Sequence, residues 1–247
     1  MSEIAKKRVV VMIPTYNEAE NIGGLVRAIL DLPMDADIAV VVADDNSPDG
    51  TGRIVEGLAG EDGRVHALIR KTRRGRGAGG IDGFKAALEL RPDWVVEMDG
   101  DFSHQPRFIP DLVRAMKNCD VAIGSRFIKG GKDADRSLHR KLLTALVRRF
   151  LRRRFRFPIK DVSSGFRCFR KEVLERIDLD DMISVGPSIV LEVLYKASLL
   201  GFRISEVPIE FVDRKLGKTK LNLPILLETM IMAMRIKRQY KPAPEAR

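Results

Sequence analysis

Short continuous apolar runs alternate with longer stretches of helical spacing through the first half of the chain. Val9-Val10-Val11-Met12-Ile13 is mostly β-branched, the pattern of a strand buried on both faces, and Pro14 ends it. A helix is expected from Glu20 to Leu30, opened near Asn17 or Glu18 and closed before Pro33. A second strand, Ile38 to Ala43, runs into Asp44-Asp45-Asn46-Ser47-Pro48-Asp49-Gly50-Thr51, all turn formers and carboxylates. Further helices are expected over Thr51 to Leu58, Gly77 to Leu90 and Arg107 to Asn118. Further strands are expected over Val65 to Ile69, Trp94 to Met98 and Val121 to Ile123. This strand–loop–helix rhythm predicts a parallel sheet wound with helices, whose ligands bind beyond the carboxyl ends of the strands. The polar clusters at Pro14–Glu18, Asp44–Asp49, Asp99–Ser103 and Gly124-Ser125-Arg126 all fall at such ends.

The second half has a different texture. Arg136 to Lys160 is densely basic with no Asp or Glu, and Leu138, Leu142, Leu146 and Phe150 recur at i, i+4. That is a basic amphipathic helix, compatible either with a solvated helix docked on the sheet or with contact to a membrane surface. Asp161 to Arg170 reads as an irregular polar segment, Pro187 to Leu200 as a helix, and Glu206 to Phe211 as an edge strand where Pro208 is tolerated. Leu223 to Met234 is mostly apolar and ends in Arg235, Lys237, Arg238 and Lys241. It suits a docking helix or an interfacial one, and is too short to span a bilayer. The division expected is 1–222 for one α/β domain and 223–247 for an amphipathic helix and tail.

Composition narrows the partners. The chain has 247 residues, 45% of them hydrophobic, enough for a sizeable core. The net charge of +10 suits anionic partners such as nucleic acid, acidic lipid or phosphorylated small molecules. Aromatic residues are too sparse to interleave with the basic clusters as nucleic-acid stacking platforms do, so no nucleic-acid partner is expected. Cys119 and Cys168 lie in no metal spacing and suit a reducing compartment, and His66, His104 and His139 have no companions at zinc-ligand spacing. The N-terminus carries no signal-peptide apolar region, so a cytoplasmic location is expected.

The chemistry centres on Trp94-Val95-Val96-Glu97-Met98-Asp99-Gly100-Asp101. The i, i+2 spacing puts both aspartates on one face of an extended chain, where they could share a hard divalent cation that bridges phosphates. Taken alone, these residues favour an acidic strand-to-loop turn over a cation seat. Four other motifs accompany the pair in order: Ile13-Pro14-Thr15-Tyr16-Asn17-Glu18, Ala43-Asp44-Asp45-Asn46-Ser47-Pro48-Asp49-Gly50-Thr51, Gly124-Ser125-Arg126, and Asp161-Val162-Ser163-Ser164-Gly165-Phe166-Arg167.

Together these resemble the family 2 inverting glycosyltransferases of GT-A fold, and within them the dolichol- or polyprenol-phosphate mannose synthases, over about residues 8 to 222. The resemblance implies an α/β, Rossmann-like, mostly parallel sheet flanked by helices, with a C-terminal edge strand and amphipathic helices. It implies that Pro14, Tyr16, Glu18, Ala43, Asp45, Asp99, Gly100, Asp101, Arg214 and Lys220 bind the nucleotide sugar. Asp99 and Asp101, with Ser103 where some relatives carry Gln, match the seat of Mg²⁺ or Mn²⁺; Arg126, Arg140 and Thr144 match positions at the acceptor phosphate. Asp99, Asp101 and Arg126 would carry the catalysis. Asp44 is expected to orient its turn instead.

The reaction so implied is inverting transfer of mannose from GDP-mannose to a polyprenyl phosphate by a protein peripheral to the membrane, with an anchoring membrane subunit as an additional partner. Another donor, such as UDP-glucose, or another acceptor is the alternative. This chain departs from the family in the basic loop Lys71-Thr72-Arg73-Arg74-Gly75-Arg76-Gly77, and in Ser188, where many relatives carry Lys. It resembles the compact synthases that lack a membrane span.

Overall fold

The structure is a computed structural model that describes residues 6–72, 75–133, 138–212 and 223–241, with backbone only for 138–143 and 223–226. The β-branched runs form β1 (Arg8–Thr15), β2 (Asp37–Asp44), β3 (Val65–Ile69), β4 (Trp94–Glu97) and β5 (Val121–Ser125). They are joined by α1 (Ala19–Leu30), α2 (Thr51–Glu61), α3 (Arg76–Glu89) and α4 (Ile109–Ala115). A short strand pair follows from β6 (Lys132–Asp133), then α5 (Leu138–Phe155), β7 (Arg167–Arg170), α6 (Lys171–Arg176), α7 (Ile189–Leu199), β8 (Ile204–Pro208), β9 (Glu210–Phe211) and α8 (Leu223–Gln239).

Seven strands make the main sheet in the order β3-β2-β1-β4-β7-β5-β8, and β6 pairs with β9 outside it. β1 runs parallel to both β2 and β4. Its side chains show why the run is continuous rather than alternating. Val9, Val11 and Ile13 enter one core with Ile22, Leu25 and Ile29 of α1 and Leu112 of α4. Val10 and Met12 enter the other with Phe84 of α3 and Leu194 of α7. A strand covered on both faces has no solvent side to keep polar. Each such fully buried aliphatic side chain contributes roughly 1.5–3 kcal/mol.

Three expectations are corrected. The segment Asp161 to Arg170 is not irregular throughout: Arg167–Arg170 forms β7, inserted antiparallel between β4 and β5. Arginines at both ends of a four-residue strand hide its pattern, and tertiary partners satisfy them. Arg167, fully buried, donates to the carbonyls of Ser164, Val162 and Val190, and Arg170 donates to those of Cys119 and Met116. The stretch Glu206 to Phe211 is not one strand. β8 is the edge of the main sheet, paired with β5, whereas β9 pairs with β6. The helix expected from Arg107 begins as a 3₁₀ turn, Pro106–Phe108, because Pro110 fits only the first turn of α4.

The C-terminal helix α8 packs against α5 and α7, and Met232, Ala233 and Ile236 are buried in the same core. Its other face leaves Leu227, Ile231 and Met234 about half exposed, and Leu146 of α5 is similarly open. No helix among the described residues is long and apolar enough to cross a membrane. Cys119 and Cys168 are both buried free thiols, and burial pushes both thiols up.

Candidate active site

The carboxyl ends of β1, β2 and β4 open onto one cleft of about 620 Å³. Its wall includes Pro14 at the end of β1 with Tyr16 and Glu18 just beyond it, Ala43 and Asp45 at the end of β2, and Asp99, Gly100 and Asp101 after β4. Parallel strands in register bring these three chain segments to one rim. Pro14 lies opposite Ala43 and Met12 opposite Glu97, so each loop leaves the sheet at a similar height.

Local hydrogen bonds hold each loop. Asp44, fully buried, accepts from Thr15 Oγ1 (3.0 Å), Ser47 Oγ (2.6 Å) and Ser47 N–H (2.8 Å), so it does orient the β2 turn. Thr51 Oγ1 accepts from Glu18 N–H at 2.9 Å, locking the β1 loop to the start of α2. Gly100 is demanded by close approach: a Cβ there would meet Thr15 Cγ2 at 3.0 Å, so a side chain would push the aspartate loop off β1. After it, Phe102 adopts φ 60, a left-handed conformation costly for a bulky residue, and turns the chain so that Ser103 N–H donates to Asp101 Oδ1 at 3.0 Å.

Asp101 is buried, whereas the Asp99 side chain is 42% exposed. His104 braces Asp99 from below: its Nδ1 accepts from Asp99 N–H at 3.1 Å, and its ring stacks on Phe166 and meets Phe211 edge-on. Because Nδ1 accepts, the ring proton is on Nε2. Burial holds this imidazole below its usual pKa, although Asp99 and Asp101 pull the other way. His104 therefore shapes the aspartate loop as a neutral ring.

Arg76, the first residue of α3, reaches across the cleft. Its Nη2 donates to the buried Glu97 Oε1 at 2.7 Å and lies 3.6 Å from Asp99 Oδ1. Burial pulls its pKa down, but the charges of Glu97 and Asp99 outweigh this and the guanidinium is held above its usual value. Gly75 before it has φ 124, and a Cβ would sit 2.8 Å from the Val185 carbonyl, so only glycine fits. Gly75 N–H donates to Asp45 Oδ2 at 2.7 Å, and Arg70 pairs with Asp45 Oδ1. Each Asp45 oxygen keeps a second lone-pair direction. Replacing Arg76 by Leu leaves Glu97 without this partner and should cost about 3 kcal/mol in a urea denaturation series. A loss within experimental error would show that Arg167, opposite Glu97 in the β4–β7 ladder, compensates it.

Arg126 stands apart. Its Nε and Nη2 make a two-pronged pair with Asp161, both at 2.8 Å, and Nη2 also reaches Ser163 Oγ at 3.0 Å. In this state the fork is turned to Asp161, and only Ser163 of this group lines the cleft. Thr144 lies part-buried on α5, Arg140 lies on α5 with only its backbone described, and Arg214 and Lys220 fall outside the described residues. Ser103 is buried and is not part of the cleft wall, where its backbone instead fixes Asp101.

Among the described residues no three His, Cys, Asp or Glu side chains cluster, so Asp99 and Asp101 provide two carboxylates and no closed cage. That fits a hard ion such as Mg²⁺, which is held by one or two carboxylates and completes its shell with phosphate oxygens and water. Gly75, Arg76, Gly79, Ser163, Gly165, Pro187 and Val190 also line the cleft, and none was singled out from the sequence as a site residue. For Arg76 a signal existed: Glu97 interrupts an apolar strand, and a buried carboxylate requires a cation nearby.

A mostly parallel α/β sheet with an aspartate pair in a cleft beyond its strand ends has its ligand site where such sheets bind nucleotides. Residues 10–178 match the model of glycosyl transferase family 2, and the chain belongs to that family. It is 39% identical over 228 residues to an undecaprenyl-phosphate mannosyltransferase of Micrococcus luteus, covering 92% of this chain and 93% of that one. It is 37% identical to a polyprenol monophosphomannose synthase of Mycolicibacterium smegmatis, covering 91% and 84%. Its fold is similar to that of the Mycobacterium tuberculosis glucosyl-3-phosphoglycerate synthase crystallised with Mn²⁺, UDP-glucose and glycerol 3-phosphate. The TM-score is 0.66 at 16% identity, over 98% of this chain and 82% of that one.

Proposed function

We propose that this protein transfers mannose from GDP-mannose to a polyprenyl phosphate, with inversion at the anomeric carbon. The observation that carries the reading is the convergence of Pro14, Tyr16, Glu18, Ala43, Asp45, Asp99, Gly100 and Asp101 on one cleft. The names of the two mannosyl-transferring relatives support the sugar and the lipid acceptor.

The bond from the anomeric carbon to the diphosphate breaks as one to an acceptor phosphate oxygen forms, and the electron pair leaves with the nucleoside diphosphate. Asp99 and Asp101 would hold Mg²⁺ or Mn²⁺, which supplies charge neutralisation at that leaving group. Arg76 adds a fixed positive charge beside them, and Tyr16, 40% exposed at the rim, offers a ring face to the base. A phosphate monoester with a second pKa near 6 is already largely dianionic at neutral pH, so no general base is needed. The neutral, buried His104 is consistent with that. Arg126 and Thr144 are assigned to the acceptor side, with Arg126 exchanging part of its Asp161 pairing for the acceptor phosphate. By resemblance to the family, Arg140 is assigned to the acceptor phosphate, and Arg214 and Lys220 to the nucleotide sugar.

The membrane-surface setting follows from the acceptor. The exposed Leu146, Leu227, Ile231 and Met234, with exposed Arg149, Arg153, Arg235 and Arg238, form an apolar and cationic exterior suited to an anionic lipid surface.

Thermal unfolding with GDP-mannose, UDP-glucose or UDP-GlcNAc, each with and without Mn²⁺, tests the donor. Ligand at about 100 times its Kd should add about 2.7 kcal/mol of stability, and GDP-mannose with Mn²⁺ should give the largest shift. A shift with UDP-glucose alone would replace the donor. No shift with any nucleotide sugar would overturn the reading.

A further inference from the structure

Glu192 sits in the apolar face of α7 and is fully buried, a position no part of the transfer chemistry above uses. Its carboxylate accepts from Ile183 N–H at 2.8 Å and Ser184 N–H at 2.8 Å, and lies 2.7 Å from the Tyr240 hydroxyl, whose single proton is shared between this carboxylate and the Asp181 carbonyl. Tyr240 directly follows α8, and Lys196 Nζ stands 4.6 Å from its ring centroid, a cation over the ring face. Tyr240 is further held through its own carbonyl, which accepts from Tyr195.

The backbone that Glu192 grips, Ile183 and Ser184, stands behind the donor cleft and runs on into its wall at Pro187. One and two residues on, the Val185 carbonyl accepts Gly77 N–H at 2.9 Å and packs so close to Gly75 that no side chain fits there. Gly75 in turn donates to Asp45, while Arg76 between the two glycines reaches Glu97 and Asp99. Pro187 and Val190 continue the same wall. Helix α8 touches this segment at a second point, where Glu228 Oε1 lies 2.9 Å from the place a Cβ of Gly186 would occupy. Thus a continuous set of hydrogen bonds runs from the end of α8 to the first turn of α3.

We propose that Glu192 and Tyr240 are positioning residues of the donor site, holding the 183–187 segment against the start of α3 so that Gly75, Arg76 and Pro187 are set for the nucleoside diphosphate. The seating of α8 and the affinity for donor are then coupled, and anything that lifts the end of α8 loosens the cleft wall. The inference rests on the cleft being a nucleotide-sugar site.

Tyr240→Phe keeps the ring and removes the hydroxyl contacts to Glu192 and to the Asp181 carbonyl, and Glu192→Gln keeps the shape but presents an amide donor to backbone donors. Amide hydrogen exchange of the apo protein, calorimetric titration of GDP with Mn²⁺, and steady-state kinetics should be read together. Tyr240→Phe should speed exchange at Ile183, Ser184 and Gly77, weaken GDP binding and raise the donor KM by about five- to tenfold, and leave kcat nearly unchanged. Glu192→Gln should do the same more strongly. A purely structural role would lower the unfolding temperature without moving the donor KM, and would overturn the proposal, as would unchanged exchange at Gly77. If exchange speeds up but wild-type protein does not bind GDP at all, the nucleotide-sugar reading itself fails and the positioning role with it.

Discussion

Asp101→Asn should lower kcat/KM for mannose transfer by at least about 10²–10³-fold, the range lost when one preorganised electrostatic partner of the reaction is removed. The substitution is nearly isosteric. The Asn carbonyl oxygen can still accept Ser103 N–H, so the turn that follows Gly100 should persist. What disappears is one carboxylate of the Asp99–Asp101 pair after β4, and with it half of the charge that this pair offers a divalent ion. Transfer of radiolabelled mannose from GDP-mannose into extractable lipid, measured over a Mn²⁺ series, reads the effect. The unfolding temperature without ligand should move little, while the Mn²⁺-dependent stabilisation by GDP should largely vanish. Transfer at the wild-type rate would show that Asp101 is a turn residue and nothing more.

The largest stability effect is expected at Asp161. Its carboxylate is fully buried and holds Arg126, itself only 8% exposed, by two 2.8 Å bonds. Removing one partner of such a pair strands the other, so Asp161→Asn should cost about 3–5 kcal/mol in urea denaturation. Burial raises the Asp161 pKa and Arg126 lowers it, and the net direction is downward from 3.8. A group depressed in the folded state stabilises fully above its unfolded pKa and loses that contribution as pH falls through the folded value. The gap between wild type and Asp161→Asn should therefore be constant near neutrality and close only well into the acid range, below pH 3.8. A gap that closes between pH 5 and 7 would contradict the assignment. The same experiment bears on function, since an Arg126 that must serve an acceptor phosphate has to be released in part from this carboxylate.

Much of the site could be read from residue order. Turn formers and carboxylates placed after apolar runs marked the ends of β1, β2 and β4, and parallel topology carried those ends to one rim. Eight residues expected to bind nucleotide sugar do line one cleft. Less legible was everything that depends on side chains from distant segments. Glu97 and Arg167 stand opposite each other only because β7 inserts between β4 and β5, and nothing in Asp161–Arg170 announces an antiparallel strand. Arg76 stood out from the sequence as part of a basic loop but not as a partner of the aspartate pair, since that meeting is made by the packing of α3 on the sheet.

By itself, the sequence determined the alternation of strands and helices, the carboxyl-end clustering of the polar motifs, and the two carboxylates after β4. Each of these follows from local pattern, because strand burial on both faces and turn chemistry are properties of neighbouring residues. Only the tertiary structure decided which charges are committed: Arg126 to Asp161, Arg70 to Asp45, Arg76 to Glu97 beside Asp99, and Glu192 to Tyr240. A buried charge must find its partner in space rather than along the chain. These partners lie 21 to 48 residues apart, where no spacing rule reaches.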